Sequence, residues 1–148
     1  MPYKTQRGFS LIELLISVAI VAIIAGIAYP SYREQVRDSR RAECTGGLSA
    51  LSNAMERHFT VNSSYLGAAD GGANTGAPGV FRGSCPVDGG TPYYNLTISD
   101  ATATTYTIQA APTGTQAGDK CGTLTLTNTG QKGVNGAAAG YDWERCWK

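Results

Sequence analysis

The sequence predicts an α+β fold in which one long amino-terminal helix lies across a small antiparallel sheet. Three observations predict it. Residues 14–29 form an uncharged apolar run. Beyond it, Leu48, Leu51, Met55 and Phe59 recur at spacings of three and four, the period of one helix face. Further on, apolar residues alternate with polar ones in three short segments: Tyr94, Leu96 and Ile98; Tyr106, Ile108 and Ala110; Leu124 and Leu126. Such segments read as strands with one buried face, and the turn signal Asn128-Thr129-Gly130 after the third suits a meander.

The first element covers residues 9–29, in which Glu13 is the single charge. As a helix it is about 30 Å long, enough to cross a bilayer core. It is apolar all round, unlike the one-sided stripe of a helix packed on a soluble core. The stretch ahead of it, MPYKTQRG, carries Lys4 and Arg7 and could pass for the start of a secretory signal peptide. Such a peptide has an apolar stretch of only about 7–15 residues and is cut after it. Here the stretch is longer and the glycine precedes it, so the apolar segment is expected to stay in the mature chain. Glu13 needs a reason, because a carboxylate near the centre of a membrane costs about 2.5–3.5 kcal/mol. A cation supplied by a neighbouring subunit would neutralise it. Pro30 lacks a backbone donor, so a kink or break is expected there.

Orientation is contested by charge, with Lys4 and Arg7 before the run and Arg33, Arg37, Arg40 and Arg41 after it. The cysteines decide. Cys44, Cys85, Cys121 and Cys146 are widely spaced and contain no C-x-x-C pair. Zinc sites need close ligand pairs, so a disulfide framework is the better reading, with three connectivities open. Disulfides call for an oxidising compartment, which puts the body outside the cytoplasm.

The polar stretch 31–44 is expected to be largely a solvated face, the alternative being contact with neighbouring subunits or membrane phosphates. Gly46 and Gly47 weaken a helix there by about 1 kcal/mol each relative to Ala. Residues 67–92 hold eight glycines and three prolines and look like a linker by composition. Cys85 within them argues that the loop is tied down. Twelve Lys+Arg against eleven Asp+Glu give a net charge of +1, which speaks against a general nucleic-acid binder. His58, the lone histidine, reads as a helix-surface residue. It leaves little for histidine-based catalysis, and no catalytic group, metal site or cofactor is expected.

The string GFSLIELLISVAIVAIIAGIAYPSY, residues 8–32, closely resembles the processing signal and transmembrane helix of type IV pilins. The resemblance rests on Gly8, Phe9, Glu13, the apolar run and Pro30. It implies a leader at 1–8, a transmembrane and filament-core helix at 9–30, and a pilin domain at 31–148 that includes the second half of the helix. A prepilin peptidase would cut between Gly8 and Phe9 and methylate the new amino group of Phe9. Glu13 would pair with the amino terminus of an adjacent subunit, and roughly residues 22–30 would unwind in assembled pili.

The carboxy-terminal DKCGTLTLTNTGQKG and ERCWK resemble PilE-like minor pilins and the related DNA-uptake receptor pilins. That implies a Cys121–Cys146 bond closing the terminal loop, leaving Cys44 for Cys85. Loops of about 25 and 41 residues would each contribute roughly 3.5–4 kcal/mol on the chain-entropy account. The implied role is a structural minor subunit that primes or joins a pilus serving motility and adhesion. Its partners would be other pilins, the peptidase, an inner-membrane assembly platform and the membrane itself. The chain would stand in the inner membrane with its domain periplasmic, then in the extracellular filament. Alternatives are the major pilin, a type II secretion pseudopilin, or a DNA-binding pilin for transformation. For the last, Lys120, Lys132, Arg145 and Lys148 are the candidate contacts, and Tyr141, Trp143 and Trp147 could stack on bases. The plainer role of those aromatics is packing around the terminal loop.

Overall fold

A computed structural model of the protein describes residues 8–148. Lys4, Arg7 and most of the expected leader lie outside the described residues. The chain divides into two units, Met1–Val36 and Arg37–Lys148, each described by itself.

In the first unit the long helix α1 (Leu11–Asn62) begins. The Ser10 carbonyl accepts from the amides of Glu13 and Leu14 at 3.1 and 3.2 Å. The Glu13 carboxylate reaches back to the Ser10 amide at 3.4 Å. Glu13 thus supplies one half of a capping box, its carboxylate satisfying the Ser10 donor, while the amides of Glu13 and Leu14 are taken by the Ser10 backbone carbonyl. From Phe9 to Ile27 every large apolar side chain is more than half exposed, Ile20 least at 52% and Phe9 most at 80%. The break expected at Pro30 is not found, and α1 continues through it. Proline removes one donor and crowds one carbonyl, that of Gly26. The remaining hydrogen bonds on either side hold the helix across that one gap.

The second unit contains the rest of α1 and a five-stranded sheet. The strands are β1 (Ser84–Cys85), β2 (Tyr94–Ala101), β3 (Tyr106–Pro112), β4 (Thr123–Thr127) and β5 (Lys132–Asn135). They are antiparallel and ordered as in sequence, the meander that the spacing predicts. Register sets Leu96 opposite Ala110, Ile98 opposite Ile108, and Ile108 opposite Leu126. These inward residues close with Cys44, Leu48, Leu51 and Met55 of α1 into one core. Complete burial of each large aliphatic residue there contributes roughly 1.5–3 kcal/mol. Phe59 and Tyr106 flank Tyr65, with ring centroids 4.6 and 4.7 Å away. The helix stops at Ser63, which adopts the left-handed conformation at φ 55°.

β1 and β5 escape the period-two reading because one has two residues and the other reads KGVN. The glycine-rich segment 67–92 is not a linker. Ala68 and Ala69 are buried in the core. Gly76 exchanges backbone hydrogen bonds of 2.9 and 2.8 Å with Ile98, covering the edge of β2 beyond β1. Cys85 bonds to Cys44, and Cys121 to Cys146. Gly47 sits where the first bond approaches α1, since a Cβ there would lie 2.9 Å from the Cys85 sulfur. Gly46, one residue away, faces open space.

Candidate functional site

Three places hold the residues that the sequence singles out. The first is the start of α1. Gly8, Phe9 and Glu13 are all exposed. Glu13 projects from the first turn, beside the amide of Ser10. An anionic side chain there is favoured by the helix dipole, and its free edge remains available to an external cation.

The second lies between α1 and the loop before β4. Arg41 is 5% exposed and Asp119 8%. Arg41 Nε donates to Asp119 Oδ2 at 3.0 Å, and Nη2 donates to Oδ1, giving a two-pronged pair. Arg41 Nη1 also donates to Asp38 at 2.9 Å. Asp119 accepts further bonds from the Tyr94 hydroxyl and from the Cys121 amide at 3.2 Å. Gln116 Nε2 donates to the Tyr94 oxygen at 3.2 Å and to the Arg37 carbonyl at 3.0 Å. Burial alone would raise the Asp119 pKa. The bonds from Arg41, Tyr94 and the Cys121 amide outweigh it and hold the carboxyl below its usual range. The Tyr94 hydroxyl is pushed up, by burial first and then by donation to Asp119.

Residues 31–44 are largely exposed or half-exposed, as expected of a solvated face, and this network makes Arg41 the exception among their charged side chains. Arg41 is inside, and the signal for it was in the spacing. Residues 41, 44, 48, 51 and 55 are separated by three, four, three and four, so Arg41 continues the apolar stripe. A charge on that stripe needs a buried partner, and Asp119, next to Cys121, supplies it.

The third is the carboxy-terminal loop that the Cys121–Cys146 bond closes. Helix α2 (Trp143–Cys146) is capped by Asp142, which accepts from the Arg145 amide at 3.0 Å. Lys120 Nζ lies 5.6 Å and the Arg145 guanidinium carbon 4.2 Å from the Tyr141 ring centroid. Lys132 Nζ lies 5.3 Å from that of Trp147. The indole of Trp147 donates to the Gly133 carbonyl at 3.0 Å and packs against the core, so this aromatic closes the loop. Trp143 is 47% exposed and, with Gly130, Gln131 and Lys132, lines a shallow recess of about 260 Å³. Lys148 is exposed at the chain end. From residue 120 onward four basic side chains face two acidic ones, Asp142 and Glu144. Three of the four sequence-predicted contacts, Lys120, Lys132 and Arg145, are thus set against aromatic rings. Among the described residues no group of three His, Cys, Asp or Glu is placed to hold a metal ion.

Comparison with known proteins agrees with this anatomy. Residues 30–125 match the family described as type IV minor pilin ComP, DNA uptake sequence receptor. Residues 3–29 match the prokaryotic N-terminal methylation motif. The chain belongs to this family of type IV minor pilins, and is a structural subunit of the kind that assembles into pili with other pilins. The family match stops short of Lys132, Arg145 and Lys148.

The fimbrial protein EcpC of Eikenella corrodens is 29% identical over 143 residues, 95% of this chain and 82% of that protein. A fimbrial protein of Pseudomonas aeruginosa is 43% identical over 66 residues, which span only 43% of its length. Among solved structures, the minor pilin PilV of Neisseria meningitidis overlaps at a TM-score of 0.49 with 22% identity, over 73% of this chain and 98% of that one. A type IV pilin of Shewanella oneidensis overlaps at 0.47 with 24% identity, over 65% and 89%.

Proposed function

We propose that this chain is a minor subunit that a prepilin peptidase cuts between Gly8 and Phe9, methylates at Phe9 and passes through a membrane assembly platform into the filament. Its domain stands on the periplasmic side beforehand, where the cysteines are oxidised. The observation that carries this reading is the first unit of α1: a capped start holding one carboxylate, then an apolar surface exposed on every side. Such a surface needs lipid or neighbouring copies around it. Glu13 is the registry device. Paired with an adjacent amino terminus it is satisfied, and out of register it is a costly unpaired charge. Pro30 and residues 22–30, helical in the single chain, are where α1 gives way when subunits pack. The part played is structural and not enzymatic.

The test is to shear surface filaments from the native cell and quantify this chain against the dominant subunit by mass spectrometry. A trace component beginning at N-methylated Phe9 is the expected result. Bulk abundance would make it the major pilin. A processed chain that stays in the membrane and is absent from pili would favour a secretion pseudopilin.

A second reading is favoured by the carboxy-terminal loop. Lys120 and Arg145 at Tyr141, with Lys132 at Trp147, combine cations and rings as a nucleic-acid surface does. The description of the family points the same way. Titration of the chain with duplex DNA at rising salt is the check. Three or four phosphate contacts predict a slope of log K against log salt of about −3. A salt-independent result, or none of the binding lost on Lys120→Gln with Arg145→Gln, would remove this role.

A further inference from the structure

The side chains at which the apolar surface of the first unit ends are used by neither reading. Tyr29, Tyr32 and Arg33 stand at i, i+3 and i+4, so α1 presents them on one face. Tyr29 and Tyr32 are 64% and 68% exposed. The Arg33 guanidinium carbon lies 5.8 Å from the Tyr29 ring centroid. Their height along the helix matters. From Phe9 to Tyr29 an α-helix rises about 30 Å, the thickness of a bilayer's hydrocarbon core.

Tyrosine rings have an apolar body and a polar tip, and they favour the headgroup layer at either end of a span. The arginine stem can lie along such a ring while its planar fork reaches a phosphate. Elsewhere in the charge run the arginines are otherwise engaged. Arg41 is buried on Asp119, and Arg40 donates to Thr115 at 2.9 Å and lies over the Tyr93 ring. Glu34, the acid next to Arg33, points about 100° away round the helix. The face therefore offers one cation between two amphipathic rings at headgroup height.

We infer that Tyr29, Tyr32 and Arg33 form an interfacial anchor that binds phospholipid headgroup phosphates and sets the depth of α1 in the membrane before assembly. This rests on the reading of α1 as a membrane anchor. Entry into a filament would then require this contact to be released as well as the apolar surface to be transferred.

The test uses the full chain in vesicles of phosphatidylethanolamine and phosphatidylglycerol. Among the described residues no cysteine is free, so one introduced thiol can be spin-labelled selectively. Labels at Ile24→Cys and Gln35→Cys report depth by paramagnetic relaxation. The combined variant Tyr29→Ala, Tyr32→Ala and Arg33→Gln is expected to shift both labels along the membrane normal by about one helical turn, ~5 Å. Arg33→Lys with both tyrosines kept is expected to hold the original depth. Unchanged depth in the combined variant overturns the anchor. Unchanged depth with reduced entry into pili also overturns it and assigns the face to a neighbouring subunit. An Ile24 label that is not immersed even in the unmodified chain would overturn the membrane-spanning reading itself, and the anchor with it.

Discussion

The two stretches of α1 show what one helix does in two settings. Up to Ile27 its leucines, isoleucines and valines are exposed in every direction. From Arg37 onward Leu48, Leu51 and Met55 are completely buried along one stripe, with polar residues around the rest. Both are α-helix, apart from the one donor missing at Pro30. What differs is the width of the apolar surface, and that width decides the partner. A stripe is satisfied by the face of a sheet, whereas a full cylinder has to find lipid or other copies.

This contrast can be broken most forcefully at the buried ion pair. Asp119→Ala would leave the buried Arg41 guanidinium with only the half-exposed Asp38 as a partner, at a cost of about 3–5 kcal/mol. Denaturant unfolding of the detergent-solubilised chain, followed by tryptophan fluorescence, measures it. The same pair sets an acid limit. Because the folded Asp119 carboxyl titrates below its unfolded value of 3.8, its contribution is complete above that pH. It is lost as pH falls through the lower folded value. Asp119→Asn should flatten the fall in the unfolding midpoint as the pH drops below 3.8.

Next in size is a matched pair of truncations. Leu51→Ala, in the stripe, should cost about 2–5 kcal/mol in the same unfolding measurement. Leu14→Ala, in the cylinder and 56% exposed, should leave that transition within about 0.5 kcal/mol. Equal losses at the two positions would abolish the distinction.

Adjacent glycines sharpen it further. Gly46→Ala adds a methyl in open space and should stabilise by about 0.5–1 kcal/mol through helix propensity. Gly47→Ala meets the Cys85 sulfur at 2.9 Å and Val87 at 3.4 Å, so it should destabilise by about 1–3 kcal/mol. Thermal unfolding of the two variants side by side should show opposite signs. The smallest effect is at the end of the stripe. Ser63→Gly relieves a left-handed serine at φ 55° and should gain about 0.5–1 kcal/mol in the same assay.

How much of this was legible beforehand follows from the range of the interactions. The helix stripe, the three central strands and the turn at Asn128-Thr129-Gly130 rest on neighbours a few residues apart, and periodicity exposes them. The edge strands do not. β1 exists because Ser84 and Cys85 meet Asn95 and Tyr94, and nothing in a two-residue segment announces that. The glycine-rich loop is linker-like in composition and only Cys85 signalled that it is tied down, since its backbone pairing to Ile98 leaves no mark on side-chain pattern. Arg41 was legible in spacing and hidden by its charge. The cation–ring contacts of the terminal loop were legible only as residue types.

The sequence by itself determined the apolar cylinder, the stripe and the meander, because each is a local preference repeated along the chain. Tertiary structure alone decided what Gly47 makes room for and that Arg41 finds Asp119, and it brings together the cysteines whose pairing the spacing left open and only the family resemblance implied. These are contacts across 41 or 78 positions of chain, made or refused by how the core closes. No local preference encodes a distance of that kind.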